Sequence, residues 1–239
     1  MEHMHRPLHI REKGRRADLV TEADRASEAV VVRMLHDAYP DATILGEEGG
    51  TRAGSSRRRW IVDPLDGTTN YAHGYPIFCI AIAFEEDAQV RAGVVYAPMM
   101  NELFSATLGG GAFRNGERIG VSTVRAVSDA MCVTGFKPYD YETNARFFAK
   151  ASDTAQAVRR DGAAALDFAY TAMGRFDAFW EFGLEPWDMA AGALLVREAG
   201  GTVTGIGDEA FSVNARSVLA SNGLVHGEIQ ELFAPLLNG

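Results

Sequence analysis

The chain has 239 residues, of which 47% are hydrophobic and 23% are charged, and its formal net charge is −9. This composition is typical of a globular protein, and the acidic balance argues against nucleic acid as the main partner. No run of about 18 apolar residues is present and the start lacks the apolar core of a signal peptide, so we expect a cytoplasmic protein that binds no membrane.

A polar tail and one helix are predicted at the start of the chain. Residues 1–17 are polar and predict a mobile tail. From Thr21 to Tyr39 apolar residues recur at intervals of four, the spacing of one face of a helix, and Pro40 ends the pattern. The recurring residues are Ala26, Val30, Met34 and Ala38.

Short strands follow the helix and predict an antiparallel meander. Apolar runs bounded by turn residues indicate the strands, and Asn115–Gly116 is typical of a two-residue hairpin turn. Cys79 and Cys132 lie in such runs, which indicates small core residues and, because no CxxC is present, a reducing compartment. The strands are expected at 43–48, 60–63, 76–84, 89–97, 102–109 and 110–119, with a loop between the first two and a turn at Glu86–Asp87.

Helices and strands alternate in the second half of the chain. Strands are expected near 130–134, 156–159, 176–182, 202–204 and 217–221, and helices at 141–152, 163–173, 187–199 and 224–236. The fold class is therefore mixed, α+β overall with an α/β second half. We expect two halves, 1–125 and 126–239, although no linker composition marks the boundary.

Two carboxylates follow an apolar run in the sequence WIVDPLDGTTNY, residues 60–71. Pro64 excludes a helix at Asp63, so we expect the strand to end there and a turn to follow. Backbone N–H groups of a Gly-Thr-Thr turn attract anions, and two carboxylates beside it would repel a phosphate unless a divalent cation lay between them. Either Asp63 and Asp66 hold hard cations beside a phosphate site, or Asp66 caps an Asx-type turn.

Other acidic positions also have both a structural and a functional interpretation. Glu47–Glu48 follows a short strand, so at most one of the two carboxylates is expected to face the same site. Thr21 and Asp24 match a capping box, and Asp188 lies in the first turn of a helix behind Pro186, where an acid complements the helix dipole. The sequence alone leaves both interpretations open at each position.

Four blocks, taken in order, resemble the signature blocks of the inositol monophosphatase family, within the lithium-sensitive, magnesium-dependent sugar phosphatase superfamily. They are DLVTEAD at 18–24, GEE at 46–48, WIVDPLDGTTNY at 60–71 and PWDMAAGALLVREAGG at 186–201. The segment 93–116 is similar to the central meander of the family, and Pro186 before Trp187 resembles bacterial members. The resemblance covers about residues 11–235 and implies a layered αβαβα sandwich.

The resemblance also implies roles for single residues. Two to three Mg²⁺ ions would be held by Glu47, Asp63, the Leu65 carbonyl, Asp66 and Asp188. Thr68, with Asp24 or Glu47, would orient the attacking water, and Lys13 would lie near the site. The substrate would be bound by the backbone of Gly67 and Thr68 at its phosphate, by Glu181 at its hydroxyls, and by Gly162, Ala163, Ala164 and Asp188 along its body.

The function that this resemblance implies is magnesium-dependent hydrolysis of a small sugar or polyol phosphate by water, with inositol 1-phosphate as the first candidate and a homodimer as the assembly. The alternatives are a histidinol-phosphate, fructose-1,6-bisphosphate or nucleotide 3′-phosphate phosphatase, or a metal-binding regulatory protein without turnover. The complete set of acids argues against loss of turnover. The family usually has a long helix before the lysine, whereas twelve residues precede Lys13, so we expect that helix to be missing or replaced.

Overall fold

The computed structural model describes residues 11–12, 19–20, 22–136 and 141–237. The α-helices within these residues are α1 Glu22–Ala38, α2 Thr68–Ala72, α3 Tyr141–Thr154, α4 Ala164–Ala172, α5 Pro186–Glu198 and α6 His226–Phe233. The strands of the first half are β1 Arg11–Glu12, β2 Leu19–Val20, β3 Thr43–Gly46, β4 Gly50–Arg52, β5 Arg58–Asp66, β6 Cys79–Glu86, β7 Gln89–Ala97, β8 Glu102–Thr107, β9 Gly111–Arg114 and β10 Glu117–Arg118. Those of the second half are β11 Met131–Thr134, β12 Ala157–Arg159, β13 Ala178–Phe182, β14 Thr202–Thr204 and β15 Ser217–Ser221.

The strands from β3 to β10 form one sheet, in the order β10-β9-β8-β7-β6-β5-β3-β4. Each strand from β5 to β10 pairs antiparallel with the next, whereas β3 pairs parallel with β5. Asn115 and Gly116 have φ values of 51° and 83°, which is the backbone that a two-residue hairpin turn needs. The predicted meander is therefore confirmed.

The remaining strands of the second half form a smaller sheet in the order β12-β11-β13-β15-β14. The strand β11 is parallel to both of its neighbours, whereas β15 is antiparallel to β13 and β14. The alternation of helices and strands predicted for this half is confirmed. The division of the chain into two halves at about residue 125 stays a prediction.

The helices α4 and α5 lie between the two sheets. A single apolar core joins residues of the larger sheet, such as Ile61 and Ala83, to residues of the smaller sheet, such as Val133 and Phe179, through the apolar residues of these two helices. The helices α3 and α6 cover the other face of the smaller sheet, where Trp180 and Phe233 pack together. With α1 against β3 and β5, the layer order is αβαβα, as predicted.

The packing of α5 on the larger sheet depends on a missing side chain. A Cβ atom at Gly93 of β7 would lie 2.9 Å from the Cα atom of Ala191 in α5. Only glycine allows the helix and strand backbones to approach this closely. The helix α5 therefore lies directly against the sheet at Ala191.

The helix α1 is confirmed, but the apolar residues that recur at intervals of four do not face the sheet. Val30 and Met34 are 48% and 64% exposed, whereas Asp24 and Glu28 are buried. Hydrogen bonds explain this orientation, because Asp24 accepts a hydrogen bond from the Thr68 hydroxyl and Glu28 accepts one from a backbone N–H. The polar contacts of α1 therefore fix which of its sides faces the sheet.

Several local expectations differ from the structure. The loop expected between 48 and 60 contains β4, and the turn between β6 and β7 lies at Asp87 and Ala88, whose φ values are 54° and 59°. Residues 11–12 of the predicted tail pair with residues 19–20, and residues 1–10 lie outside the described residues. Within the described residues, no helix combines the length and the apolar character needed to cross a membrane.

Candidate active site

The strand β5 does not end at Asp63 as predicted but continues to Asp66 through an irregular pairing. Asp63 pairs with Ala81 and Asp66 with Cys79 on β6, with a register shift between them. Pro64 has no N–H to donate to the ladder, which explains why the pairing is interrupted there. The bulge leaves two carboxylates close together at one end of a buried strand.

Asp63 lies at the centre of a group of acids. It is 2% exposed, and its Oδ1 accepts a hydrogen bond of 3.0 Å from the N–H of Leu65. Burial raises the pKa of Asp63 well above its ordinary value, and the charges of Glu47, Asp66 and Asp188 raise it further. Glu47, Asp66 and Asp188, which were predicted to share a site with Asp63, therefore lie within electrostatic reach of it.

Asp66 connects this group to α4. Its Oδ2 accepts a hydrogen bond of 2.7 Å from the N–H of Ala165, its Oδ1 accepts one of 3.2 Å from the N–H of Ala164, and the Cys79 thiol lies 3.5 Å from Oδ2. Burial raises the pKa of Asp66 to about 6, and the hydrogen bond from Ala165 opposes that rise. Asp66 thus caps a helix in the other half of the chain, whereas the structural interpretation expected it to cap its own turn.

The other two acids come from neighbouring elements. Glu47 follows β3, and its N–H donates to the carbonyl of Val62 on the adjacent strand. Asp188 occupies the first turn of α5 and accepts a hydrogen bond of 2.8 Å from the N–H of Glu185, as one half of a capping box. The structural interpretation of Asp188 is therefore correct, and the charge of the same carboxylate also raises the pKa of Asp63.

Thr68 and Asp24 lie against the end of the same strand. The Thr68 hydroxyl is 3.0 Å from Asp24 Oδ1 and 3.1 Å from the Leu65 carbonyl oxygen. Asp24 is completely buried, and Thr21 of the expected capping box lies outside the described residues. The hydroxyl of Thr68 is therefore fixed by oxygen atoms of two different elements.

Gly67 sets the direction of the chain between Asp66 and α2. Its φ is 88°, and a Cβ atom there would lie 2.9 Å from the Ile77 carbonyl oxygen and 3.3 Å from the Cβ atom of Ala163. Both the left-handed backbone and this close contact require glycine. The predicted phosphate turn and the predicted substrate segment are thus neighbours in space.

Asn70 holds these two segments together, although no role was predicted for it. Its amide nitrogen donates to the carbonyl of Ile77 at 2.7 Å and to that of Asp161 at 2.8 Å. The next residue, Gly162, has a φ of 80°. The position of Asn70 in the WIVDPLDGTTNY block was the only available signal.

Glu181 lies in β13 and is buried, with its carboxylate against Gly135, where any Cβ atom would collide with it. Asp167 in α4 lies within electrostatic reach of Glu181. Burial raises the pKa of Asp167 well above its ordinary value, and Asp161, Glu181 and Asp66 raise it further. Neither carboxyl oxygen of Asp167 has a hydrogen-bond partner among the described residues. An acid inside the apolar run AALDFAYTA was the signal that could have identified it.

The donor atoms of this group suit magnesium. Within the described residues, no three acidic, histidine or cysteine side chains are already arranged to hold a metal ion. Four carboxylates and the Leu65 carbonyl supply only oxygen atoms, which a hard cation prefers, and the repulsion that raises the pKa of Asp63 is what a cation would relieve. Lys13, which was predicted to lie near the site, is outside the described residues.

The sequence matches the model of the inositol monophosphatase family over residues 1–239. A chloroplastic phosphatase of Arabidopsis thaliana, IMPL1, is 45% identical over 98% of this chain and 66% of its own length. The Nus factor SuhB of Pseudomonas aeruginosa is 47% identical over 78% of this chain and 72% of its own length. The chain therefore spans about two thirds to three quarters of these relatives.

The fold leads to the same family. The structure of an inositol monophosphatase from Thermotoga maritima superposes with a TM-score of 0.93 and 36% identity, covering 100% of this chain and 92% of that one. The class that fold and sequence define is that of phosphoric monoester hydrolases. The chain belongs to the inositol monophosphatase family, whose members are generally magnesium-dependent.

Proposed function

We propose that this protein hydrolyses the phosphate monoester of a small polyol, with inositol 1-phosphate as its main substrate. The observation that carries the proposal is the burial of Asp63 among Glu47, Asp66 and Asp188. Such a group of acids is unfavourable by itself and becomes favourable with divalent cations. Under this proposal these acids and the Leu65 carbonyl hold two to three Mg²⁺ ions.

Bound magnesium would neutralise the phosphate dianion, favour ionisation of water and stabilise the leaving alkoxide. The protein residues would orient the attacking water and the groups that exchange protons with it. The Asp24 carboxylate holds the Thr68 hydroxyl, so Thr68 can accept or pass a proton at one fixed position. We further propose that Glu47 helps to orient the attacking water and that Lys13 assists near the site.

The substrate would lie between the two halves of the chain. The Gly67–Thr68 backbone would bind its phosphate, and Glu181 would accept hydrogen bonds from its hydroxyls. The close contact of Gly67 with Ala163 supports this arrangement, because it places the phosphate turn beside the segment Gly162–Ala164. Asp188 would serve both metal and substrate. A cytoplasmic homodimer without nucleic acid or membrane partners stays a prediction.

A phosphate-release assay with Mg²⁺ tests the proposed substrate. The panel contains inositol 1-phosphate, histidinol phosphate, fructose 1,6-bisphosphate, a nucleoside 3′-phosphate and an aryl phosphate. We expect the largest kcat/KM for inositol 1-phosphate. A clear preference for another member of the panel would replace inositol 1-phosphate, and no Mg²⁺-dependent release from any of them would contradict the proposal.

Glu181→Gln tests the hydroxyl contact. A hydrogen bond to a charged acceptor contributes about 1.5–3 kcal/mol, so kcat/KM for inositol 1-phosphate should fall roughly 10- to 150-fold while that for the aryl phosphate changes little. Glu231→Gln, an exposed acid on α6, is the matched control. Equal losses on both substrates would remove Glu181 from the substrate site.

A regulatory role is a second candidate, supported by the 47% identity to a relative named as a Nus factor. Turnover distinguishes the two roles. An active wild type whose Asp66→Asn variant loses activity supports an enzyme, whereas a folded protein without turnover favours the regulatory role.

A further inference from the structure

A cavity of about 310 Å³ runs along α5 from Ala190 to Arg197 and reaches the end of β5 that is remote from the acids. Arg59 lines it and precedes Asp63 by four residues of extended strand, or about 13 Å. Arg197 also lines it and follows Asp188 by nine residues of helix, again about 13 Å. None of the four acids lines the cavity, so it is separate from the proposed phosphate site.

Much of the wall of this cavity is apolar. Val90 from β7, Leu194 from α5 and the loop residues Phe211 and Val213 line it. Apolar walls of this kind favour a ligand with an apolar body, because its burial removes apolar surface from water.

The carboxylates at the cavity already have partners. Glu85 forms an ion pair of 2.8 Å with Arg59. The two oxygens of Glu198 accept hydrogen bonds of 2.7 and 2.8 Å from the N–H groups of Gly109 and Gly111. These acids therefore offer little to a bound cation.

Arg197, in contrast, keeps unused donors. Its guanidinium lies over the Phe211 ring at 4.9 Å and donates one hydrogen bond of 3.3 Å to the Val203 carbonyl. No ion pair connects it to a carboxylate within the described part of the chain. A guanidinium has five N–H donors in a planar fork that matches a carboxylate. The Nε atom of Arg59, which is buried, also lacks a hydrogen-bond partner among the described residues.

We propose that this cavity is a binding site for a small organic carboxylate. The carboxylate would pair with Arg197, and its apolar body would lie against Phe211 and Leu194. The proposal is independent of the phosphatase reaction, since no residue of the acid group lines the cavity.

The test uses 4-(trifluoromethyl)benzoate, observed by ¹⁹F NMR during titration with the whole protein. We expect saturable binding to the wild type and at least about tenfold weaker binding to Arg197→Met, because a charge-assisted bidentate pair is lost. Arg197→Lys should retain part of the affinity. Arg33→Met, which removes an exposed arginine on α1, should bind as the wild type does.

The neutral 4-(trifluoromethyl)benzamide has nearly the shape of the benzoate but lacks its charge. Comparing how the two probes bind to the wild type therefore tests the charge, even if Arg197→Met fails to fold. We expect it to bind at least about tenfold more weakly than the benzoate. Equal binding of the two probes would overturn the proposal. So would undiminished binding by a folded Arg197→Met, displacement of the benzoate by Mg²⁺ with inorganic phosphate, or no saturable binding up to about 10 mM.

Discussion

The carboxylate of Asp66 accepts a hydrogen bond from the backbone N–H of Ala165 at 2.7 Å, across 99 positions of the chain. One residue thus ends a strand of the larger sheet and caps a helix between the sheets. If Asp66 also holds magnesium, as we propose, stability and catalysis depend on the same side chain and different substitutions should separate them.

Asp66→Asn should lose most Mg²⁺-dependent turnover while the protein stays folded. The amide oxygen still accepts a hydrogen bond from α4, but the charge that a hard cation needs is gone. Asp66→Ala should lose turnover and also about 1 kcal/mol of stability, because the helix loses its cap. Activity at saturating Mg²⁺ and thermal melting in EDTA measure the two effects. Near-normal activity of Asp66→Asn would contradict the metal assignment.

Asn70→Asp should reduce kcat/KM for inositol 1-phosphate by about tenfold or more, because a carboxylate would face the carbonyls of Ile77 and Asp161 in place of a donor. If Asn70 only positions the substrate segment, KM should rise more than kcat falls, and the Mg²⁺ concentration for half-activation should not change. Asn214→Asp, in an exposed loop, is the control. Unchanged KM would show that Asn70 does not position the substrate segment.

Asp167→Asn should make the protein more stable than the wild type at pH 8 but not at pH 4. Burial raises the pKa of Asp167, so the folded state favours the protonated carboxyl. The contribution of this protonated group to the stability of the wild type is complete below pH 3.8, and it is lost as the pH rises through the folded-state pKa. A gain of about 1 kcal/mol corresponds to roughly 2–4 °C in Tm for a chain of this size. Asp37→Asn, an exposed acid on α1, is the control. A difference in Tm that does not grow with pH would contradict this account.

His226 should make the wild type less stable in acid. Its ring nitrogens lie 2.9 Å from the hydroxyls of Ser221 and Thr204, and burial lowers its pKa below 6.5. The folded state therefore favours the neutral ring, so its contribution to stability is complete above pH 6.5 and is lost as the pH falls through the folded-state pKa. Melting between pH 7.5 and 5 should show a steeper loss for the wild type than for His226→Gln. Parallel curves, with His36→Gln as reference, would contradict this assignment.

Much of the fold could be predicted from local pattern. The helix α1 follows from its four-residue spacing, and the hairpin follows from Asn115–Gly116. The side of α1 that faces the sheet could not be predicted, because the hydrogen bonds of Asp24 and Glu28 decide it and their partners lie far along the chain. The strand β5 was expected to end before Pro64, but it continues past this residue to Asp66 through a bulge.

The acids of the site were identifiable because the resemblance to a known family assigns a role to the acids of each block, whereas their spacing alone left a structural interpretation open. Asn70 and Asp167 were not identifiable in this way. The role of Asn70 depends on the Asp161 carbonyl, 91 positions away, and the environment of Asp167 depends on Glu181 from another strand. Such contacts are set by the packing of the two sheets on α4 and α5, which local periodicity does not specify.

The close approach of Gly93 to Ala191 should slow the exchange of the α5 amide hydrogens with solvent. The helix α5 is covered by a sheet on each face, so its amide hydrogens can meet solvent only when the layers separate. They should be among the last to exchange with deuterium, whereas the edge strand β4, whose residues are all exposed, should exchange early. If this exchange order is observed, Asp188 is carried by one of the slowest-opening elements of the chain.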